Sequence, residues 1–240
     1  TWGSFWNLWK IKECDIVISI VPFTSATLLG YIQKKRFKAK SWIHIQDFEF
    51  DAAFQSGLTK SGEQKGGVVY RFLMWIEKSL FSKADKVSTI SHTMIEKLKK
   101  KTTAPTYFLP NWIDEKQINP AFAKAHPYLT SQKFKILYSG NIGDKQDWDF
   151  FLKFAKAIDE KQFEIIIVGD GSKRVWLEEE IKSYSGITLY PPVPYEELSD
   201  LLCSADVHIL FQKPEVVDTV MPSKILGMMA SAKPSIITGH

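Results

Sequence analysis

Along this whole chain, short runs rich in branched aliphatic residues alternate with stretches of helical periodicity, and no other feature restricts the fold as much. This is the pattern of βαβ units, in which each helix returns the chain so that successive strands run parallel. Strands are predicted over residues 15–21, 41–46, 86–90, 106–109, 134–139, 163–168, 187–190, 206–211 and 234–238. Helices are predicted over 25–35, 67–82, 91–100, 148–158, 173–184, 195–203 and 223–231. Several strands, such as the one carrying Ile165-Ile166-Ile167-Val168, lack polar alternation, as strands covered on both faces do.

The rhythm fails between Asp114 and Lys133, a stretch with Pro120, Pro127, few aliphatics and no period. It reads as a linker. The expected organisation is therefore one α/β half over 1–118, a linker over 119–133 and a second α/β half over 134–240. The chain opens at Thr1 in a Trp-rich segment and stops just after a strand-like run, so both halves are expected to be parts of larger domains.

Composition narrows the function classes. A net charge of +4 in 240 residues is too small to indicate a nucleic-acid binder. Cys14 and Cys203 form no CxxC pair, which fits a reducing compartment and argues against a disulfide framework or a cysteine zinc site. No apolar run is long enough to span a bilayer and no signal peptide is visible. The basic residues cluster at 34–40 and 97–101, which reads as solvated helix ends or as attraction to anionic head groups. Trp2, Phe5, Trp6 and Trp9, at i, i+3, i+4 and i+7, form one helical face, suited either to core packing or to a membrane interface.

Three turns carry candidate chemistry. In Tyr138-Ser-Gly-Asn-Ile-Gly-Asp-Lys-Gln146 a strand ends, Gly140 and Gly143 open a turn, and Lys145 precedes a helix. Glycines let backbone N–H groups approach an anion, a helix N-terminus attracts it, and a lysine adds a point charge. The spacing is neither a Walker A loop nor GxGxxG, and a plain βα turn would read the same way. Val168-Gly-Asp-Gly-Ser172 places Gly169 and Gly171 at the carboxyl edge of a sheet, where ligands of open α/β sheets bind. In the segment 218–234, Pro222 suits a first helical turn, with Ser223 and Lys224 beside it as a second phosphate cradle. Two such cradles in one half point to a diphosphate. In the first half, Asp47 ends a strand among amide and acidic groups, while His44 reads as a core histidine.

Taken in order, the segments 45–53, 87–91, 109–114, 137–146, 168–171 and 220–224 resemble the GT-B glycosyltransferases of family 4, in the colanic-acid and exopolysaccharide branch. The resemblance implies two Rossmann-like parallel-sheet domains facing a cleft, with the donor bound mainly by the second. It implies a retaining hexosyltransferase that takes a nucleotide diphosphate sugar and needs no metal or other cofactor. It further implies a lipid-linked saccharide acceptor, peripheral membrane contact at the cytoplasmic face of the plasma membrane, and no nucleic acid.

Carried over by residue, Asp47, Lys145 and Lys224 are the catalytic group, with Asp47 facing the acceptor or the reacting sugar. Gly140, Asn141, Gly143, Lys145, Gly169, Gly171, Pro222, Ser223 and Lys224 bind the donor, and Asn111 lines the cleft. The chain departs from the pattern at Gly227, where many members carry a ribose-binding Glu, and at Asn141, where an arginine is common. The glycine-rich acceptor loop expected near the start, and the final elements of the second domain, are absent from this sequence. A sugar-nucleotide epimerase of the same architecture and a non-catalytic sugar-nucleotide-binding subunit are the rival readings. No GxGxxG opens either half, which disfavours an oxidoreductase.

Overall fold

The computed structural model describes residues 2–48, 50–51, 67–114, 116–213 and 224–238, which fall into two compact units meeting between Pro110 and Asn111. The first runs α1 (Trp2–Asn7), β1 (Ile16–Val21), α2 (Thr24–Phe37), β2 (Lys40–Ile45), α3 (Val68–Ser82), β3 (Lys86–Thr89), α4 (His92–Lys101) and β4 (Thr106–Phe108). Its strands form a parallel sheet in the order β1-β2-β3-β4. The second unit runs β5 (Phe134–Ser139), α5 (Trp148–Ala157), β6 (Phe163–Val168), α6 (Arg174–Ile181), β7 (Ile187–Tyr190), α7 (Leu198–Cys203), β8 (Val207–Phe211), α8 (Lys224–Ala230) and β9 (Ser235–Thr238). Its parallel sheet has the order β7-β6-β5-β8-β9.

The uninterrupted apolar strands of the second unit are explained by two cores, one on each face of the sheet. Ile136, Tyr138, Ile165 and Ile167 pack with Trp148, Phe151, Leu177 and Phe211. Their strand neighbours Leu137, Ile166 and Val168 pack with Leu201, Leu202 and Ala205. Successive side chains leave a strand on opposite faces, so such a strand has no solvent side to mark with polar residues. Helix starts follow local chemistry: Ser91 accepts from the Met94 N–H (3.2 Å) at α4, and Asp147 from the Phe150 N–H (3.0 Å) at α5.

In the first unit Ile43, Ile45, Phe48, Phe81, Val87, Met94 and Leu98 form the core. Ile16, Ile18 and Ile20, on the alternate face of β1, are more than half exposed. His44 is buried, bonded through Nδ1 to Ser88 Oγ (2.8 Å) and through Nε2 to the Gln46 amide (2.7 Å). Burial lowers its pKa, so it is a satisfied neutral core histidine.

Two readings change. Much of the stretch read as a linker packs on the second unit, where Ile118 and Leu129 are buried. Its backbone is held by α7 and the residues flanking it. The N–H groups of Asn119, Lys124 and His126 donate to Ser199 Oγ (3.1 Å), Asp200 Oδ1 (2.8 Å) and Ser204 Oγ (2.9 Å). Two of the aromatic residues near the N-terminus are not core either: Trp6 is 66% and Trp9 57% exposed. Arg36 of α2 lies over the Trp9 ring (5.1 Å) and donates to the Leu8 carbonyl (3.0 Å). No helix among the described residues is long and apolar enough to cross a membrane.

Candidate functional site

From β5 the chain of the second unit moves outward to β6 and β7, then returns to the other side of β5 to build β8 and β9. The strand order therefore reverses between β5 and β8. The connections there leave in opposite directions and open a crevice at the carboxyl ends of these strands. A cavity of about 310 Å³ lies here, lined by Ser139 at the end of β5 and Gly140 after it, His208 and Ile209 of β8, and Lys224, Gly227 and Met228 of α8. Ile113, Ile118, Leu137, Tyr195, Leu198 and Leu202 complete its largely apolar wall.

The two glycine turns are laced together at this edge. Gly140 donates to the Val168 carbonyl (2.9 Å), Ile142 to Asp170 (2.8 Å), and Lys173 back to Ile142 (2.9 Å). The Arg174 guanidinium bonds the carbonyls of Gly169 and Tyr190, fastening the second turn to the end of β7. Gly143 donates to Gln146 Oε1 (3.2 Å), Gly169 to the Tyr190 carbonyl (3.2 Å), and Gly171 to Asp170 Oδ1 (2.8 Å). The amides of all four expected glycines thus have partners inside the protein. The glycines serve the site by what they lack: a Cβ on Gly171 would meet the Ile142 carbonyl oxygen at 2.4 Å, with φ at +154°.

The charge at the crevice belongs to Lys224. Its ammonium donates to the Tyr138 hydroxyl (2.8 Å) and stands 4.2 Å from the centre of that ring. A Cβ on Gly140 would crowd it at 3.0 Å, and φ there is +135°, a conformation that favours glycine. Burial lowers the Lys224 pKa to about 8, and no charged partner among the described residues offsets the effect. His208, on the same wall, is bonded to Ser231 Oγ (2.9 Å) and driven by burial to a pKa of about 4, so it is neutral at physiological pH.

Gly140, Asn141, Gly143, Gly169, Gly171 and Lys224 are therefore brought together at one sheet edge. Lys145 is exposed on the same turn, its carbonyl accepting from the Lys213 N–H (3.2 Å). Pro222 and Ser223 lie outside the described residues. Asn111 is the first residue of the second unit, and Asp47 follows β2 in the first. Gly227 is buried against Leu202 and Ile118, where a Cβ would already be tight at 3.1 and 3.4 Å. Sequence reasoning assigned nothing to Tyr138 or to His208. Among the described residues no group of three or more His, Cys, Asp or Glu side chains is placed to hold a metal ion.

Comparison with known proteins decides the class of this unit. Residues 133–240 match the family model described as glycosyl transferases group 1. The second unit matches the group 1 glycosyl transferase domain over nearly its whole length. WcaI of Escherichia coli (strain K12), named as a colanic acid biosynthesis glycosyl transferase, is 31% identical over 94% of this chain and 58% of its own length. Among solved structures, the sucrose-phosphate synthase of Thermosynechococcus elongatus superposes with a TM-score of 0.71 at 17% identity, over 93% of this chain and 55% of that one. Anabaena HepE, solved with UDP-glucose, gives 0.66 at 13% identity, over 93% and 59%. These likenesses show the fold alone: two parallel-sheet α/β units of GT-B type. The chain spans about half the length of the curated relatives it matches.

Proposed function

We propose that this chain is part of a retaining glycosyltransferase that moves a hexosyl group from a nucleotide diphosphate sugar to a lipid-linked saccharide in exopolysaccharide synthesis. The observation that carries the reading is Lys224: a largely buried ammonium without a carboxylate partner among the described residues, at the reversal of strand order in the unit that matches group 1 glycosyl transferases. A charge so placed costs stability unless an anion completes it. HepE, solved with UDP-glucose, and the name of WcaI support the donor class and the pathway class.

In this reading the diphosphate lies against Lys224 and the glycine turns 140–143 and 169–171, with Lys145, Pro222 and Ser223 as further donor contacts. The bond from the sugar's anomeric carbon to the diphosphate oxygen breaks, and the acceptor hydroxyl, losing its proton, bonds to that carbon. Negative charge develops on the leaving diphosphate. The ammonium of Lys224, assisted by Lys145, stabilises it where a divalent cation would otherwise act. Asp47 positions or polarises the acceptor, and Asn111 is a further contact of the second unit. At Gly227 the wall is apolar, so the donor ribose is held by groups other than a carboxylate at that position.

The acceptor's lipid places the reaction at the cytoplasmic face of the plasma membrane. The exposed Trp6 and Trp9, the latter beneath Arg36, are the proposed peripheral contact, since indole rings and nearby cations favour the head-group region. Incubating the protein with UDP- and GDP-linked hexoses, with and without a lipid-linked saccharide, tests the proposal. Acceptor-dependent transfer is expected. Donor conversion without acceptor would replace it with an epimerase, and binding without turnover would replace it with a non-catalytic subunit.

A further inference from the structure

Resting on the reading of Lys224 as a phosphate-binding group, we infer that Tyr138 is a positioning residue for the donor diphosphate, its hydroxyl tying the first glycine turn to the lysine of α8.

Tyr138 is fully buried near the end of β5, its ring packed against Trp148 (5.3 Å) and Phe211 (5.1 Å). A phenol brings one proton and acceptor lone pairs into that interior, and both need partners. Its oxygen lies 2.7 Å from the Asn141 carbonyl oxygen and 2.8 Å from the Lys224 nitrogen. The direction of each bond is forced. A carbonyl can only accept and an ammonium can only donate, so the hydroxyl gives its proton to Asn141 and receives one from Lys224. No reversal of the pair is chemically available while Lys224 is charged.

Three consequences follow. The carbonyl of Asn141 is fixed, and with it the turn that also packs Gly140 against the ammonium. The lysine is held by a neutral acceptor and a ring face 4.2 Å away, so its charge is steadied without being neutralised. A carboxylate in that place would have competed with the ligand for the same ammonium. Finally, one of three ammonium protons is spent on Tyr138, leaving two for phosphate oxygens.

The other titratable groups at this wall do not interfere near neutral pH. His208 stays neutral, with a pKa of about 4, and burial raises that of Tyr138 far above its ordinary value. The hydroxyl is thus a fixed device between two donor-side elements that are 86 residues apart.

Tyr138→Phe keeps the ring and removes both bonds. Kd values for UDP and GDP, measured from pH 6.5 to 9.5, provide the test. The nucleotide that the wild-type protein binds is expected to bind roughly tenfold more weakly to Tyr138→Phe at pH 7, the scale of one lost bond to a charged group. The pH above which affinity falls should also move downward, because the charged lysine has lost an acceptor. In a Lys224→Met background the Phe substitution should cost clearly less, since only the bond to the Asn141 carbonyl remains to be lost. Superimposable Kd–pH curves for Tyr138→Phe and wild type, or an equal loss in the Lys224→Met background, would overturn the inference. A wild-type protein that binds neither nucleotide would overturn the donor-site reading and this inference with it. Nucleotide binding that Lys224→Met leaves unchanged would do the same.

Discussion

Gly169 stands so close to Gly140 that a Cβ placed on it would meet the Gly140 carbonyl oxygen at 1.9 Å. The contact joins the turns after β5 and β6, so a side chain at 169 pushes apart the two segments proposed to hold the donor. Gly169→Ala is expected to abolish nucleotide binding and to lower stability by about 1–3 kcal/mol, as overpacking of a close contact does. Gly3→Ala, where nothing lies within 4 Å of the added carbon, is the control and should leave binding unchanged. Titration calorimetry and urea unfolding of both variants check this.

Lys224 couples donor binding to protons. Its pKa in the folded protein is about 8, below the ordinary 10.5. Between those values the unfolded chain holds more protons, so the unliganded protein gains stability as pH rises through that window. A bound diphosphate favours the charged lysine and reverses the trend locally. At pH 9, nucleotide binding should take up a proton, at pH 7 it should not, and in Lys224→Met the uptake should vanish. Calorimetry in two buffers of different ionisation enthalpy measures it.

His208 makes a prediction of the same sign on the acid side. Burial lowers its pKa from 6.5 to about 4, so its contribution is fully present above 6.5 and is lost as pH falls toward 4. A shift of this size corresponds to roughly 3 kcal/mol at most. Urea unfolding at pH 7 and pH 4.5 should show a drop of that order in the wild type and a smaller one in His208→Gln.

Much of the second unit was legible because its strands are short and apolar on both faces, and the limits of β5, β6 and β7 follow directly from their residues. The place of the site within that unit was not. The crevice exists because β8 pairs with β5, a long-range choice that no local pattern encodes. The glycine turns were legible as turns, but their chemistry was misread. Spacing implied amides open to an anion, whereas the amides of Gly140, Gly143, Gly169 and Gly171 have internal partners. Tyr138 reads in sequence as one more core aromatic, because both partners of its hydroxyl are set by tertiary packing. The stretch between Asp114 and Lys133 reads as a linker because its few apolar residues, Ile118 and Leu129 among them, have no period of their own and are buried by the rest of the unit.

The first unit carries its own test. Lys101 of α4 pairs with the fully buried Glu77 of α3 and with Asp51 (3.0 Å). Lys101→Met leaves those carboxylates without their cation and should cost about 3–5 kcal/mol. Adding Glu77→Gln should recover part of the loss. Thermal unfolding of the single and double variants decides the matter.

The central claim is that the reversal of strand order between β5 and β8 holds a nucleotide diphosphate through Lys224. A thermal-shift panel of UDP, GDP and ADP on the wild-type protein and Lys224→Ala tests it most directly. A ligand at a hundred times its Kd stabilises by about 2.7 kcal/mol, which raises the melting temperature by several degrees. The account predicts such a rise with UDP or GDP, absent in Lys224→Ala. A folded wild-type protein unmoved by every nucleotide, or a Lys224→Ala variant that shifts equally, would contradict it.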